Sequence, residues 1–263
     1  MSSYILRQGM DASKRLTLLA DAKWPSTQAL FDRLPIKPGA RCLDVGCGTG
    51  AVSLHLAKSV APSGHVLGID TDQILLESAQ EKANQTALAA EFRKIDVTKD
   101  DLPVGFDFLY ARFLLTHLQS PLSVLEKIYR STVSGGVIVI EDIDFDGHVC
   151  YPASLAFDRY VELYKAVARH RGGDPLIGPR LPGLLKQVGC KNVEVEVVTP
   201  TFYRGENKLV AAITMEHIRE AVVNAGLATD QEIDDIVDEL TILAERPDSI
   251  ISLARIFQVV GRV

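Results

Sequence analysis

The amino-acid sequence predicts an α/β fold: a doubly wound, mostly parallel sheet of seven strands with helical additions. Three observations predict it. Between about residues 40 and 142, short apolar runs alternate with segments whose apolar residues recur at helical spacing. The runs are rich in Val, Ile, Leu and Phe throughout, as strands covered on both faces are. The first run leads directly into the glycine-rich segment Leu43-Asp44-Val45-Gly46-Cys47-Gly48-Thr49-Gly50 and then into a helical pattern.

Taken in order, residues 1–34 read as mainly helical. Strands are predicted at Arg41 to Val45, His65 to Asp70, Glu91 to Asp96, Phe106 to Ala111 and Val137 to Asp142. Helices are predicted between them at Ala51 to Val60, Gln73 to Gln85 and Leu122 to Val133. Ser120 followed by Pro121 is a good helix start, because serine can cap the free N–H groups and proline fits the first turn. Pro62-Ser63-Gly64 and Ser134-Gly135-Gly136 read as turns. Beyond this core, a helix is expected at Ala153 to Arg169, two more within 205–248, and late strands at Val193 to Thr199 and Ile251 to Val260. The expected organisation is one domain: an N-terminal helical lid over 1–34, a cofactor-type core over 35–145, and a helical lid with the late strands over 146–263.

Composition narrows the function. The 263 residues carry a formal net charge of -6 and no terminal run of Lys or Arg, which argues against a dedicated binder of nucleic acid or anionic membranes. No apolar stretch reaches the roughly 18 residues of a membrane span. Cys42, Cys47, Cys150 and Cys190 are few and not paired as CxxC, so free thiols in a reducing cytoplasm are expected, with no disulfide framework and no metal.

The glycine segment brings backbone close to a ligand and opens a helix whose first N–H groups are free. On its own it is ambiguous. Gly46, Gly48 and Ala51 also satisfy the GxGxxA dinucleotide pattern, and Asp70 sits near the distance of a ribose-binding acid, so an NAD-dependent oxidoreductase stays open. Three features favour another ligand. Asp44 precedes the glycines, where it would repel a pyrophosphate but welcome an ammonium group. Asp96-Val97 places a further acid on the carboxyl edge of the sheet. Gly135-Gly136 introduces the fifth strand in the setting Ser-Gly-Gly-Val-Ile-Val-Ile-Glu-Asp.

With these motifs in order, residues 38–142 resemble class I S-adenosylmethionine-dependent methyltransferases, a Rossmann-like family. The run from Phe106 through Arg112 and His117 to Leu118 looks like the small-molecule branch related to ubiquinone and menaquinone methyltransferases. The Asn/Asp-Pro-Pro-Tyr loop and Pro-Cys pair of nucleic-acid methyltransferases are absent. The resemblance implies that Asp44 and the backbone of Gly46, Cys47, Gly48 and Gly50 hold the methionine end of S-adenosylmethionine. It implies that Asp70, beside Thr71, takes the ribose hydroxyls. Asp96 and Val97 would meet the adenine, Ala111 and Arg112 would line the methionine side, and Tyr4 would close over the cofactor.

Methyl transfer from a sulfonium needs alignment, exclusion of water and, for a hydroxyl or acidic carbon, removal of a proton. His117 is a candidate base, with a helix-start structural role as the competing reading. Asp142 and Asp144 are candidates to orient or deprotonate an acceptor, with turn acids as the alternative. Aromatic residues such as Tyr151, Phe157, Tyr160 and Tyr203 suit an apolar or aromatic small-molecule substrate, unless they serve as core. The sequence leaves the oligomeric state open, a homodimer among the options.

Overall fold

A computed structural model describes residues 10–34 and 36–263. The chain runs α1 (Met10–Arg33), β1 (Arg41–Val45), α2 (Ala51–Val60), β2 (His65–Asp70), α3 (Gln73–Thr86), β3 (Ala90–Lys94) and β4 (Phe106–Arg112). It continues through α4 (Pro121–Ser131), β5 (Thr132–Asp144), β6 (Cys150–Tyr151), α5 (Leu155–His170), α6 (Leu181–Gln187) and β7 (Lys191–Val198). The last elements are β8 (Thr201–Phe202), α7 (Val210–Asn224), α8 (Asp230–Glu245), β9 (Ile250–Ser252) and β10 (Arg255–Arg262).

Seven strands form the main sheet in the order β3-β2-β1-β4-β5-β10-β7. The register between β1, β2, β3, β4 and β5 is parallel, with Asp44 opposite both Gly68 and Tyr110, and Arg112 opposite Glu141. The order reverses between β1 and β4, and ligands of open α/β sheets bind outside the carboxyl ends of the strands at such a reversal. The chain divides into two compact units. One comprises Phe31–Asp142, Ile177–Val197 and Phe257–Val263. The other comprises Ile143–Leu176, Val198–Ile256 and the described part of the first thirty residues.

In the first unit, side chains alternate between two buried faces. Leu43, Val45, Leu109, Ala111, Ile138 and Ile140 pack with Leu125 and Ile128 of α4 and Leu181 and Leu185 of α6. On the opposite face Phe31 meets the rings of His55, Phe108 and Tyr110 at centroid distances of 5.4, 6.3 and 5.1 Å. In the second unit, α5, α7 and α8 pack together beside a small sheet ordered β6-β9-β8. Arg219 is buried there and bridges Glu216 at 2.7 Å and Asp234 at 2.5 Å. Among the described residues no helix is long and apolar enough to cross a membrane.

Several sequence expectations shift. The third strand ends at Lys94, so Asp96 stands in the following turn. Ser134-Gly135-Gly136 lies inside β5, whose pairing with β4 changes register between Phe106 and Phe108. Gly136 has no room for a side chain there, since a Cβ would stand 2.5 Å from Thr132 Cγ2. Ser120 makes no side-chain cap to α4, although Pro121 does occupy the first turn. The expected last strand, Ile251 to Val260, is two: β9 joins the small sheet and β10 the main one.

Candidate active site

The site is built from the turn after β1. Gly46, Gly48 and Gly50 have φ of +76°, +52° and +73°, a left-handed region that glycine enters without the Cβ clash. The turn is tied to the next strand by Gly46 N and Cys47 N, which donate to Ile69 O at 2.8 and 3.0 Å. Gly50 caps α2, and a Cβ there would meet Ala79 Cβ at 2.7 Å and the Phe92 ring at 2.8 Å. At Gly48 a Cβ would meet nothing within 4 Å. Sterically, Gly50 is required by packing, whereas Gly48 borders open space.

Asp44 is 2% exposed, and its Oδ2 accepts from Ser53 Oγ of α2 at 2.6 Å. Burial pushes its carboxyl up to about 6; the Ser53 hydroxyl and the Arg112 guanidinium oppose the rise, and Asp70 adds to it. Arg112, half-buried at the end of β4, has its guanidinium carbon 5.9 Å from the Phe113 ring centroid. Ala111 beside it is buried. The Cys47 thiol is half-buried and held far above the usual thiol range by burial, then by Asp44 and Asp70. That holds it in the thiol form rather than as the nucleophilic thiolate.

Asp70, at the end of β2, gathers the loop. Its Oδ2 accepts from Gly48 N at 2.8 Å, and its Oδ1 from Thr71 N at 2.7 Å and Asp72 N at 3.1 Å. Thr71 is exposed, and Asp72 caps α3 through Ile74 N and Leu75 N. Asp96 accepts from Thr98 N at 3.0 Å, Thr98 Oγ1 at 2.6 Å and Lys99 Nζ at 2.8 Å. The Lys99 bond, then those from Thr98, hold its carboxyl down at about 2. Val97 is buried, and its carbonyl accepts from Lys127 Nζ at 3.0 Å.

The acids beyond β4 and on β5 are held by different partners. His117 is exposed and closes a single 3-10 turn over Leu115–His117. Asp142 is fully buried in the first unit, and its Oδ2 accepts from Thr116 N at 3.1 Å, fixing that turn. Asp144, in the second unit, is 5% exposed and is ion-paired to Arg255, whose Nε stands 3.1 Å from Oδ2. Neither aspartate is a solvated turn acid. Tyr4 lies outside the described residues.

Sequence reasoning missed Ser53, the partner of Asp44, and the buried group of Tyr110, Glu141 and Gln258. The Tyr110 hydroxyl donates to Glu141, and Gln258 Nε2 donates to Glu141 Oε2 at 2.8 Å. One signal was present: Glu141 is a charged residue directly after Val137-Ile138-Val139-Ile140. In the second unit, Phe145, Phe157 and Tyr160 are buried around His148, while Tyr151 and Tyr203 remain 59% and 57% exposed.

A family model described as a methyltransferase domain matches residues 36–169. The chain belongs to that family. This methyltransferase-domain protein, of an S-adenosylmethionine-dependent family, is similar to phosphoethanolamine N-methyltransferase 1 of Triticum aestivum. The two are 31% identical over 81% of this chain and 40% of the wheat protein. It is also similar to demethylmenaquinone methyltransferase of Lactobacillus johnsonii, 29% identical over 62% of this chain and 72% of the relative. Among other curated relatives, the chain spans 59% of the length of two and 24% of a third. A solved S-adenosylmethionine-dependent methyltransferase from Mesorhizobium loti shares the fold, with a TM-score of 0.56 and 20% identity, over 93% of this chain and 100% of that one. The methyltransferase fold thus agrees with the seven-stranded sheet expected from the sequence.

Proposed function

We propose that the protein transfers the methyl group of S-adenosylmethionine to a small organic molecule, at an oxygen, nitrogen or carbon acceptor. The observation that carries this reading is the pairing of opposite charges, Asp44 and Arg112, beside a left-handed glycine turn at the point where the strand order reverses. A carboxylate and a guanidinium suit the ammonium and carboxylate of an amino acid. A dinucleotide pyrophosphate would instead meet the Asp44 carboxylate. Gly48 borders open space where a ligand can approach the backbone.

In this reading Asp44 and Arg112 hold the amino-acid end, with Gly46, Cys47, Gly48 and Gly50 supplying backbone and Ala111 apolar cover. Asp70 takes the ribose hydroxyls. A carboxylate offers about four acceptor directions, and three donors already reach Asp70. Taking two hydroxyls therefore requires release of one, and Gly48 N–H is the one on the open glycine turn. Asp96 and Val97 serve the adenine, which requires the amino group to join or displace Thr98 and Lys99 at Asp96. Thr71 flanks the ribose.

When bound, S-adenosylmethionine supplies a methyl group on a sulfonium that is open to in-line displacement. The chain's residues then align the acceptor, exclude water and remove a proton. His117 is the candidate with an exposed side chain for that task, because an imidazole can accept a proton. Asp142 and Asp144 are engaged by Thr116 N and Arg255, so their part is to order the loops around the ends of β4 and β5. A small-molecule acceptor is supported by the activities for which the wheat and Lactobacillus relatives are named. The finer reading of an apolar or aromatic acceptor rests on the exposed rings of Tyr151 and Tyr203.

Calorimetry tests the cofactor. S-adenosylmethionine and S-adenosylhomocysteine should bind in the micromolar range with no response to NAD or NADP, and preferential NAD binding would sink the reading. Asp70→Ala should lose roughly tenfold or more in affinity for both adenosyl ligands. Turnover is read as S-adenosylhomocysteine formation, with phosphoethanolamine and a dihydroxynaphthalene as acceptor probes. His117→Ala should lower it about 100-fold while sparing cofactor affinity. Unchanged turnover returns His117 to a structural role, and binding with no turnover on any acceptor leaves a cofactor-binding protein.

A further inference from the structure

A carboxyl side chain sits in the core behind the glycine turn. Glu141 is fully buried, and moving a carboxylate out of water costs several kcal/mol. Two neutral donors reach it, the Tyr110 hydroxyl and Gln258 Nε2. If packing were its purpose, an apolar residue of similar volume would be as stable or more so. The arrangement nevertheless reaches across the unit: Arg33 at the end of α1 donates to Gln258 Oε1 at 3.4 Å and is ion-paired to Glu196 of β7. β4 and β10 reach this side chain directly, and the end of α1 and β7 are linked to it through Gln258 and Arg33.

The register places a cation beside it. Glu141 is the Cα partner of Arg112 on the neighbouring parallel strand, and paired residues of parallel strands project to the same face. Tyr110, two residues before Arg112, projects to that face too, and it is itself the partner of Asp44. The carboxyl ends of β1, β4 and β5 therefore present Asp44, Tyr110, Arg112 and Glu141 on one side of the sheet. Phe31 packs its ring on Tyr110 at 5.1 Å and closes the phenol's rear. Electrostatic coupling agrees with this grouping, because Glu141, Arg112 and Asp44 all act on the Tyr110 hydroxyl and Arg112 acts on Asp44.

We infer that Glu141 is a positioning residue: through Tyr110 and Arg112 it orders the charged groups that receive the amino-acid end of the cofactor. The inference rests on the proposed cofactor reading. Arg112 is on β4, the strand between β1 with Asp44 and β5 with Glu141. A guanidinium has five N–H donors in a rigid fork, so a partner behind it fixes its plane and leaves donors for a ligand carboxylate. Without Glu141, Arg112 has Asp44 as the remaining carboxylate of the group, and the two charges meant for the ligand satisfy each other. The adenine and ribose contacts are assigned to Asp96, in the turn after β3, and Asp70, at the end of β2, neither of which is a register partner of Glu141.

The test compares two ligands that share the adenosine part. S-adenosylhomocysteine carries the amino-acid end and 5′-methylthioadenosine lacks it. By calorimetry, Glu141→Gln should bind S-adenosylhomocysteine roughly tenfold more weakly than wild type, with methylthioadenosine affinity unchanged within error. Tyr110→Phe keeps the ring on Phe31, removes the donor and should weaken S-adenosylhomocysteine selectively by a smaller factor. It carries the test on the same readout if Glu141→Gln does not fold. Equal weakening of both ligands, or no change in either, overturns the positioning role. Wild-type protein that fails to bind S-adenosylhomocysteine overturns the cofactor reading itself and the inference with it.

Discussion

Replacing Asp44 by asparagine is expected to make the unliganded protein more stable at neutral pH and its cofactor binding weaker. The carboxyl is raised from 3.8 to about 6, chiefly by burial. Between those values the folded protein holds a proton that the unfolded chain has released, so stability falls as pH rises from about 4 to about 6 and then levels. The accumulated cost is on the order of 3 kcal/mol. Asparagine avoids ionisation and keeps an oxygen to accept from Ser53 Oγ. A gain of about 1–3 kcal/mol follows at pH 7.5, visible as a rise of roughly 2–4 °C in Tm per kcal/mol. The same change removes the proposed partner of the cofactor ammonium, and affinity for S-adenosylhomocysteine should drop at least roughly tenfold. In wild type that affinity should increase through a midpoint near pH 6, and this dependence should vanish in the variant. A destabilised Asp44→Asn protein that binds normally would contradict both halves of the expectation.

The second large effect separates two glycines that look alike in sequence. Gly50→Ala should cost about 2–4 kcal/mol, combining left-handed strain with overpacking. The added carbon would stand 2.7 Å from Ala79 Cβ and 2.8 Å from Phe92, and both neighbours lie in packed elements. A Tm lowered by roughly 5–15 °C in thermal unfolding is the readout. Gly48→Ala carries the left-handed strain alone, about 1–2 kcal/mol, because its Cβ would point into open space. If that space receives the cofactor, Gly48→Ala should fold with a modest Tm loss and bind S-adenosylhomocysteine far more weakly. Equal Tm losses for the two variants would refute the distinction.

Much of the site was legible in the chain because it is local. Asp44, the three glycines and the start of α2 lie within ten residues of one another, and strand-turn-helix chemistry leaves its mark at that spacing. Asp70 was legible because the end of β2 coincides with the end of an apolar run. The local signal failed where two local structures compete. Asp96 ends an apolar run in sequence, yet Thr98 and Lys99 capture it in a turn. Ser134-Gly135-Gly136 has turn composition, but it continues β5 across the register shift against β4, with Gly135 N donating to Val263 O and Val263 N to Gly136 O.

Sequence alone determined the alternation of strands and helices, the glycine turn that requires positive φ, and the positions of Asp44 on the first strand and Asp70 at the end of the second. Each of these follows from apolar periodicity or from backbone sterics, which act over a few residues. Only the tertiary structure decided what the acids do. Asp142 is turned to Thr116 N, Asp144 is joined to Arg255 from 111 residues away, and Glu141 collects Tyr110 and Gln258 from 31 and 117 residues away. A buried charge must find its donors in space, and which distant residues arrive beside it is set by sheet order and register, neither of which leaves a trace in the residues next to it.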